Sequence, residues 1–387
     1  MKILLTSLSG QLGGLELRLA DELRLLNSAG YKSTLALNQF PGLADWFEEL
    51  RTENLDVKIW DVPPFLEEWK HRHLNFLKAR LLQSHWLKKQ QADLVHVAFA
   101  WTETGRSRLW LAHKNNIPSV ISVHNAFTPW SPPSKWHEKR TKEAFSSVKG
   151  LYGVSKSALD RFVSIYEKFL PENIYTKVIH NFVDVNRFQP SSLLRQETRN
   201  QLDIPQDAPV IGSVGRLDEQ KNPHYLLDCF LEIRKKIPEC YFVFVGQGKL
   251  ENEIRQRVKN EKLTSFIRFV GFQKHIENII PAFDLHMLLS LREGFGIATV
   301  EAMSCGLPVI GTKVPGTSDI LEISSAGILV PLDDPQFVSN AAISILSSTD
   351  KQKTMSKAAR QEAMERFSKG IWEKEITRFY DGVCEKL

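Results

Sequence analysis

The 387 residues exceed what one hydrophobic core usually organises and point to two domains of about 150–200 residues each. At 42% hydrophobic and 25% charged, the composition is globular, which excludes disordered, collagenous and fibrous classes. Charge is uneven: residues 1–190 hold 25 Lys and Arg against 19 Asp and Glu, residues 191–387 hold 25 against 26, and eight of the nine Trp lie in the first half. Two halves with different tasks are expected, unless the first is simply a solvated basic surface over ordinary core tryptophans.

Lys2–Ser7 reads as a buried strand, too short an apolar run for a signal peptide. A turn with Gly10, Gly13 and Gly14 follows, then a helical pattern over 15–29 closed by Gly30. Strand, glycine turn and helix form the first unit of a doubly wound α/β sheet. The rhythm recurs with strands over 32–36, 93–98, 119–123, 153–155 and 177–179, and helices over 109–114 and 157–169. Between them, residues 67–89 form a basic helical stretch with Leu74, Leu77 and Leu81 at helical spacing. Lys70, Arg72, Lys78, Arg80, Lys88 and Lys89 supply its cations, and Trp69 and Trp86 suit a headgroup boundary. The stretch is read either as leaning on anionic lipid or as a surface helix whose leucines pack on its own sheet. Residues 130–142 (WSPPSKWHEKRTK) are expected to be a loop lining an acceptor cleft.

His180 to Pro190 reads as the linker. Beyond it come strands over 209–214, 241–245, 267–270, 285–289 and 308–311, helices over 223–236 and 297–304, and an amphipathic final helix over 372–384. The expected fold is α/β, two Rossmann-like domains with a ligand crevice between them. Cys229, Cys240, Cys305 and Cys384 show no metal-ligand spacing, and no run of 18 apolar residues suggests a membrane span. A cytoplasmic protein is expected.

The densest chemistry lies in Ser290 to Pro308, where Glu293 occupies a loop with Gly294 and Gly296 before the helix that starts near Ile297 and carries Glu301. Backbone N–H groups converging at such a helix start hold phosphates or hydroxyls. Two carboxylates eight apart can address a sugar and a ribose of one extended ligand; taken singly, Glu293 reads as an N-cap acid and Glu301 as a surface acid. Arg216 and Lys221 flank a strand-to-helix turn, where two cations would neutralise a diphosphate leaving group. Gly248 and Phe272 follow strand-end glycines, which let a base or ribose pack closely. His124 ends a strand, placed to bond a sugar hydroxyl or relay a proton, or else to be a structural histidine. The chain contains no Asp-x-Asp pair for a metal-bridged diphosphate, and Gly10 to Glu16 departs from a dinucleotide fingerprint.

EGFGIATVEAMSCGLPVI, with GRLDEQKN, VGQG, HNFVDVNRF and the early GGLE in order, resembles the E-x7-E family-4 retaining glycosyltransferases. The resemblance implies the GT-B fold: an acceptor domain over 1–182, a nucleotide-sugar domain over 183–366, the two facing each other across a cleft, and a helix over 367–387 crossing back onto the first domain. It implies that Glu293 and the backbone of Gly294, Phe295, Gly296 and Ile297 hold the donor sugar. Glu301 would bind the ribose, Arg216 and Lys221 the diphosphate, Gly14 would add an amide, and His124 would touch the sugar. It further implies a front-face displacement with retention and without a metal or other cofactor, the donor being most commonly a UDP-sugar. Partners would be that donor and a glycan or lipid-linked acceptor of bacterial surface-polysaccharide or glycolipid assembly, with contact at the inner face of the membrane. Nucleic acid is not expected. Two departures stand out: Asn181-Phe182 replaces the usual Asn-Gly, and Pro315-Gly316-Thr-Ser-Asp319 replaces Gly-Gly-x-Pro-Glu. The competing readings are a GT-B epimerase or hydrolase, and a non-catalytic partner subunit.

Overall fold

The computed structural model spans residues 1–387 and describes all but Trp69. The chain forms two compact units, Met1–His180 together with Glu373–Leu387, and Asn181–Trp372.

The first unit is built on β1 (Lys2–Ser7), β2 (Lys32–Leu37), β3 (Asp56–Ile59), β4 (Leu94–Phe99), β5 (Ser119–Val123), β6 (Val148–Gly153) and β7 (Tyr175–Val178). They pair in the order β3-β2-β1-β4-β5-β6-β7, parallel throughout. Every residue of β4 and β5 is buried, as expected of strands covered by helices on both faces. Sequence reading passed over β3, four residues with two charges at a sheet edge. It also placed a strand over 153–155; β6 instead ends at Gly153, because the Ser155 hydroxyl caps the helix Lys156–Tyr166 by accepting from Ala158 N at 3.1 Å.

Two further corrections concern the basic, aromatic segments. Residues 130–142 are a loop only as far as Ser134, which caps the helix Lys135–Phe145, and Trp136 in that helix packs edge-on against Phe76 at 5.5 Å. The stretch around 67–89 is helical from Arg72 to Gln90, with a wider turn over Ala79–Gln83. Trp86 does not face outward but stacks on buried Trp60 at 5.2 Å, while Trp69 lies outside the described residues. Leu74, Leu77, Leu81 and Leu82 do face outward, 50–64% exposed.

The second unit repeats the plan with β8 (Val210–Val214), β9 (Tyr241–Val245), β10 (Ile267–Gly271), β11 (Leu285–Leu288), β12 (Val309–Thr312) and β13 (Gly327–Val330). Its order is β10-β9-β8-β11-β12-β13, again parallel. The order reverses between β8 and β11, so the loops leaving these two strands open side by side at their carboxyl ends, where open α/β sheets bind ligands. The linker residues join this unit: Val183 N donates to Phe367 O at 2.8 Å, and Phe182 packs on Trp372 at 4.7 Å. From Glu373 onward the final helix Lys369–Cys384 belongs to the first unit, where Val383 and Phe379 close on Gly150 of β6; a Cβ there would stand 2.6 Å from Val383.

Candidate active site

The loops after β8 and β11 carry the predicted chemistry, and backbone contacts lock them together. Leu291 N donates to Gln220 O at 2.8 Å, and Gln220 Nε2 donates to Arg292 O at 3.0 Å. Within that frame Lys221 Nζ lies 2.6 Å from Glu293 Oε2, with side chains only 17% and 10% exposed. Lys221 is thus no stray surface charge. Its backbone N–H donates to Asp218 Oδ1 at 3.1 Å, which holds the turn before the helix Pro223–Arg234. Ser290 Oγ gives Glu293 Oε2 a second donor at 3.2 Å. Glu293 is therefore not an N-cap acid: the helix Ile297–Ser304 is capped by Gly296, at φ +94°.

Arg216 sits on the same turn but is more open, its side chain 59% exposed, at 3.2 Å from Asp218 Oδ2. His286 of β11 lies behind Lys221, fully buried; burial and the Lys221 charge lower its pKa to about 3, so it is a neutral neighbour. The departing loop after β12 reaches this pair directly. Gly316 has φ +84°, and a Cβ on it would stand 2.5 Å from Glu293 O; its N–H donates to Asp319 Oδ2 at 3.1 Å. Sequence reading saw Gly316 only as a departure, yet its missing side chain lets this loop press on the Glu293 backbone.

Glu301 stands in the helix Ile297–Ser304, partly exposed. No side chain or backbone group among the described residues donates a hydrogen bond to its carboxyl. Burial pushes its pKa up to about 7; the Arg187 charge pulls the other way, and Glu277 adds to the rise. Arg187 cannot serve Glu301 as a full partner because its guanidinium already grips Glu277 at 2.8 and 2.9 Å. Arg187 lies in the quoted linker motif, but only the fold shows which acid it takes.

The remaining donor candidates divide. Phe272 is 73% exposed and Ile297 41%, whereas Phe295 is 3% exposed and packs edge-on against Phe367 at 5.8 Å, so its side chain is core and only its backbone is available. Gly248 is held by the protein itself, since a Cβ would meet Leu217 O at 2.2 Å. Gly14 and His124 belong to the first unit. Gly14 opens the helix Gly14–Ser28, and a Cβ on it would meet nothing within 4 Å. His124 is 9% exposed, its pKa lowered to about 3 by burial and by the nearby Arg18 and His96 charges. Among the described residues no three His, Cys, Asp or Glu side chains gather as metal ligands, and no helix is long and apolar enough to cross a membrane.

Comparison with known proteins gives this arrangement its family. An Escherichia coli UDP-Gal:alpha-D-GlcNAc-diphosphoundecaprenol alpha-1,3-galactosyltransferase is 26% identical over 350 residues, 89% of this chain and 88% of that protein. Spore coat protein SA of Bacillus subtilis is 26% identical over 305 residues, 73% of this chain and 76% of its own. Among solved structures, Anabaena HepE in complex with UDP superposes with a TM-score of 0.80 at 22% identity, covering 99% of this chain and 100% of that one. A Rickettsia africae glycosyltransferase gives 0.82 at 19% identity, covering 100% and 99%. The two Rossmann-like parallel sheets are those of GT-B proteins. Residues 12–187 match Glycosyltransferase Family 4 and residues 195–362 match Glycosyl transferases group 1. With both halves matched in order and the motif-bearing loops meeting at the sheet reversal, the chain belongs to the group 1 glycosyltransferases.

Proposed function

We propose that the protein is a retaining hexosyl- or N-acetylhexosaminyltransferase. It uses a nucleotide sugar, most plausibly a UDP-sugar, and a lipid-linked glycan acceptor in bacterial surface-polysaccharide or glycolipid assembly. The observation that carries this reading is the part-buried Lys221–Glu293 pair at the reversal of the second sheet, with the hydrogen-bond-free Glu301 carboxyl in the helix that follows. An ammonium beside a carboxylate can be shared with a diphosphate, so Lys221 and Arg216 meet the charge that grows on the leaving group. Glu293 and the N–H groups around Gly296 hold the sugar hydroxyls, and Glu301 accepts from the ribose diol. The acceptor oxygen then bonds to the anomeric carbon from the face the phosphate leaves, and the departing phosphate oxygen takes the acceptor's proton. Retention follows, and the step calls for neither a metal nor a strong side-chain base.

The donor base is supported by the donor in the E. coli relative's name and by UDP in the HepE structure. The lipid-linked acceptor is supported by the same relative's diphosphoundecaprenol substrate and by the helix 72–90, whose four exposed leucines adjoin Lys78, Arg80, Lys88 and Lys89. We read that face as the contact with anionic membrane.

A thermal-shift titration with UDP, GDP, ADP and CMP, without and with EDTA, tests the donor site. A ligand at 100 times its Kd adds about 2.7 kcal/mol. One nucleoside diphosphate should shift the transition equally with and without chelator; no shift with any of them removes Arg216, Lys221 and Glu301 from the role.

A further inference from the structure

We propose that the turn after β4 is a platform for a neutral pyranose of the acceptor, with the Trp101 ring stacking on the sugar and the Glu103 carboxylate accepting from its hydroxyls. The turn and its unspent groups are features of the first unit alone. That the sugar belongs to an acceptor rests on the transferase reading above.

The first sheet has its own reversal. β1 pairs with β2 on one side and β4 on the other, so the loops leaving β1 and β4 open side by side at their carboxyl ends and make room for a ligand. The turn leaving β4 is firmly built. Thr104 N donates to Trp101 O at 3.2 Å, and the Thr104 hydroxyl donates to the same oxygen at 3.0 Å. Tyr166 Oη donates to Thr102 O at 2.7 Å. Gly105, at φ +93°, presses the turn onto β4, where a Cβ would stand 2.8 Å from the Phe99 ring. Asn125 Nδ2, on the loop after β5, donates to Ala100 O at 3.0 Å, and Phe127 of that loop lies 6.5 Å from the Trp101 ring.

On this fixed turn two groups are left unspent. Trp101 is 39% exposed. Neither oxygen of Glu103 accepts a hydrogen bond from a described residue, and only Oε2 is enclosed. An enclosed carboxylate oxygen without a donor needs one, and this one stands two residues from an open indole. The pair selects its ligand by chemistry. The C–H face of a pyranose lies on an indole while hydroxyls at its rim donate to a carboxylate; an acyl chain would desolvate the carboxylate without bonding it, and an anion would be repelled. Arg106, which ends the turn, faces inward: it is 1% exposed, its Nε donates to Glu103 O at 3.1 Å, and its guanidinium lies 4.1 Å from the Trp130 ring. The rule that follows is that neutral sugars are accepted and uronic acids refused.

The test is nuclear magnetic resonance of full-length protein carrying isotope-labelled tryptophan, with Trp101→Phe assigning the indole signal. The probes are the methyl glycosides of glucose, galactose, N-acetylglucosamine and glucuronic acid, and UDP-glucose. At least one neutral glycoside should shift the Trp101 signal while buried Trp60 and Trp110 stay still, and the glucuronide should leave it unmoved. Glu103→Gln should weaken the neutral glycoside about tenfold and admit the glucuronide, a reversal that a merely structural carboxylate would not give. No shift with any neutral glycoside overturns the proposal. So does a shift with UDP-glucose alone, which would give the turn to the donor, a glucuronide bound as tightly as the neutral sugars, or a Glu103→Gln variant that binds as the wild type does. Failure here leaves the nucleotide titration untouched, and a failed titration leaves the sugar platform standing, so the two readings fall separately.

Discussion

Two glutamates, one in each unit, contrast a carboxylate whose hydrogen-bonding capacity is spent with one whose capacity is not. Glu22 is crowded with donors: two tyrosine hydroxyls, Arg18 and His96. Burial alone would raise its pKa, but the charge and hydrogen bond of His96, the Arg18 charge and the Tyr380 hydroxyl outweigh it and hold the carboxyl at about 2. Glu301, partly exposed, has no hydrogen bond to offset the burial it does meet, and its pKa rises to about 7. A carboxylate whose lone pairs are all taken has no capacity left for a ligand. One left without donors, as Glu301 is in the helix Ile297–Ser304, keeps the capacity that the proposed ribose diol would fill.

The sharpest way to break this contrast is Glu22→Ala, which strands Arg18 in a buried site. It should cost about 3–5 kcal/mol in denaturant unfolding at pH 7. Because the native pKa lies below the ordinary 4.5, wild-type stability from this group is complete above that value and falls as pH drops toward about 2. A loss below about 1 kcal/mol would show that the network is not framework. Next comes Lys221→Ala, which should lower the transfer rate about 100- to 1000-fold, or about 2.7–4 kcal/mol, with acceptor binding unchanged. An unchanged rate removes Lys221 from the chemistry.

Glu301→Gln sharpens the other side. The folded state binds this proton more tightly than the unfolded chain, so the stability linked to it is full below about 4.5 and declines as pH rises through about 7. The variant should therefore be about 1–3 kcal/mol more stable than wild type at pH 8, with the gain gone at pH 4.5, while nucleotide affinity falls. Parallel stability curves across that range would refute the raised pKa. The smallest effect on folding belongs to Leu77→Ser with Leu81→Ser. Exposed as these are, the changes should move stability by no more than about 0.5 kcal/mol, yet abolish low-salt co-sedimentation with anionic vesicles. Negligible wild-type binding at both low and high salt would end the membrane reading.

Much of this was legible from local pattern. Buried strands such as Ser119–Val123 declare themselves as short apolar runs, and the span from Glu293 to Glu301 is contiguous, so its loop, helix start and second carboxylate could be placed without a fold. The edge strands Asp56–Ile59 and Gly327–Val330 were missed because short, half-exposed strands lack a full apolar face. The helix Lys135–Phe145 reads as a loop in sequence because prolines precede it and charges fill it, while the Ser134 cap that starts it is a single side chain. Trp86 was misplaced for a different reason: a basic neighbourhood describes the exposed half of a helix and says nothing of the ring stacked beneath it.

Sequence alone determined the doubly wound class and most of the buried strands, because period and glycine placement are local properties of the chain. Tertiary structure decided the rest. It set Lys221 on Glu293 across 72 residues, left Glu301 without a donor, and brought Tyr380 across 358 residues to the same carboxylate as Tyr152 and Arg18. Such choices depend on which strands become neighbours and which donors are already spent, and both are settled only when the sheets assemble and exclude water.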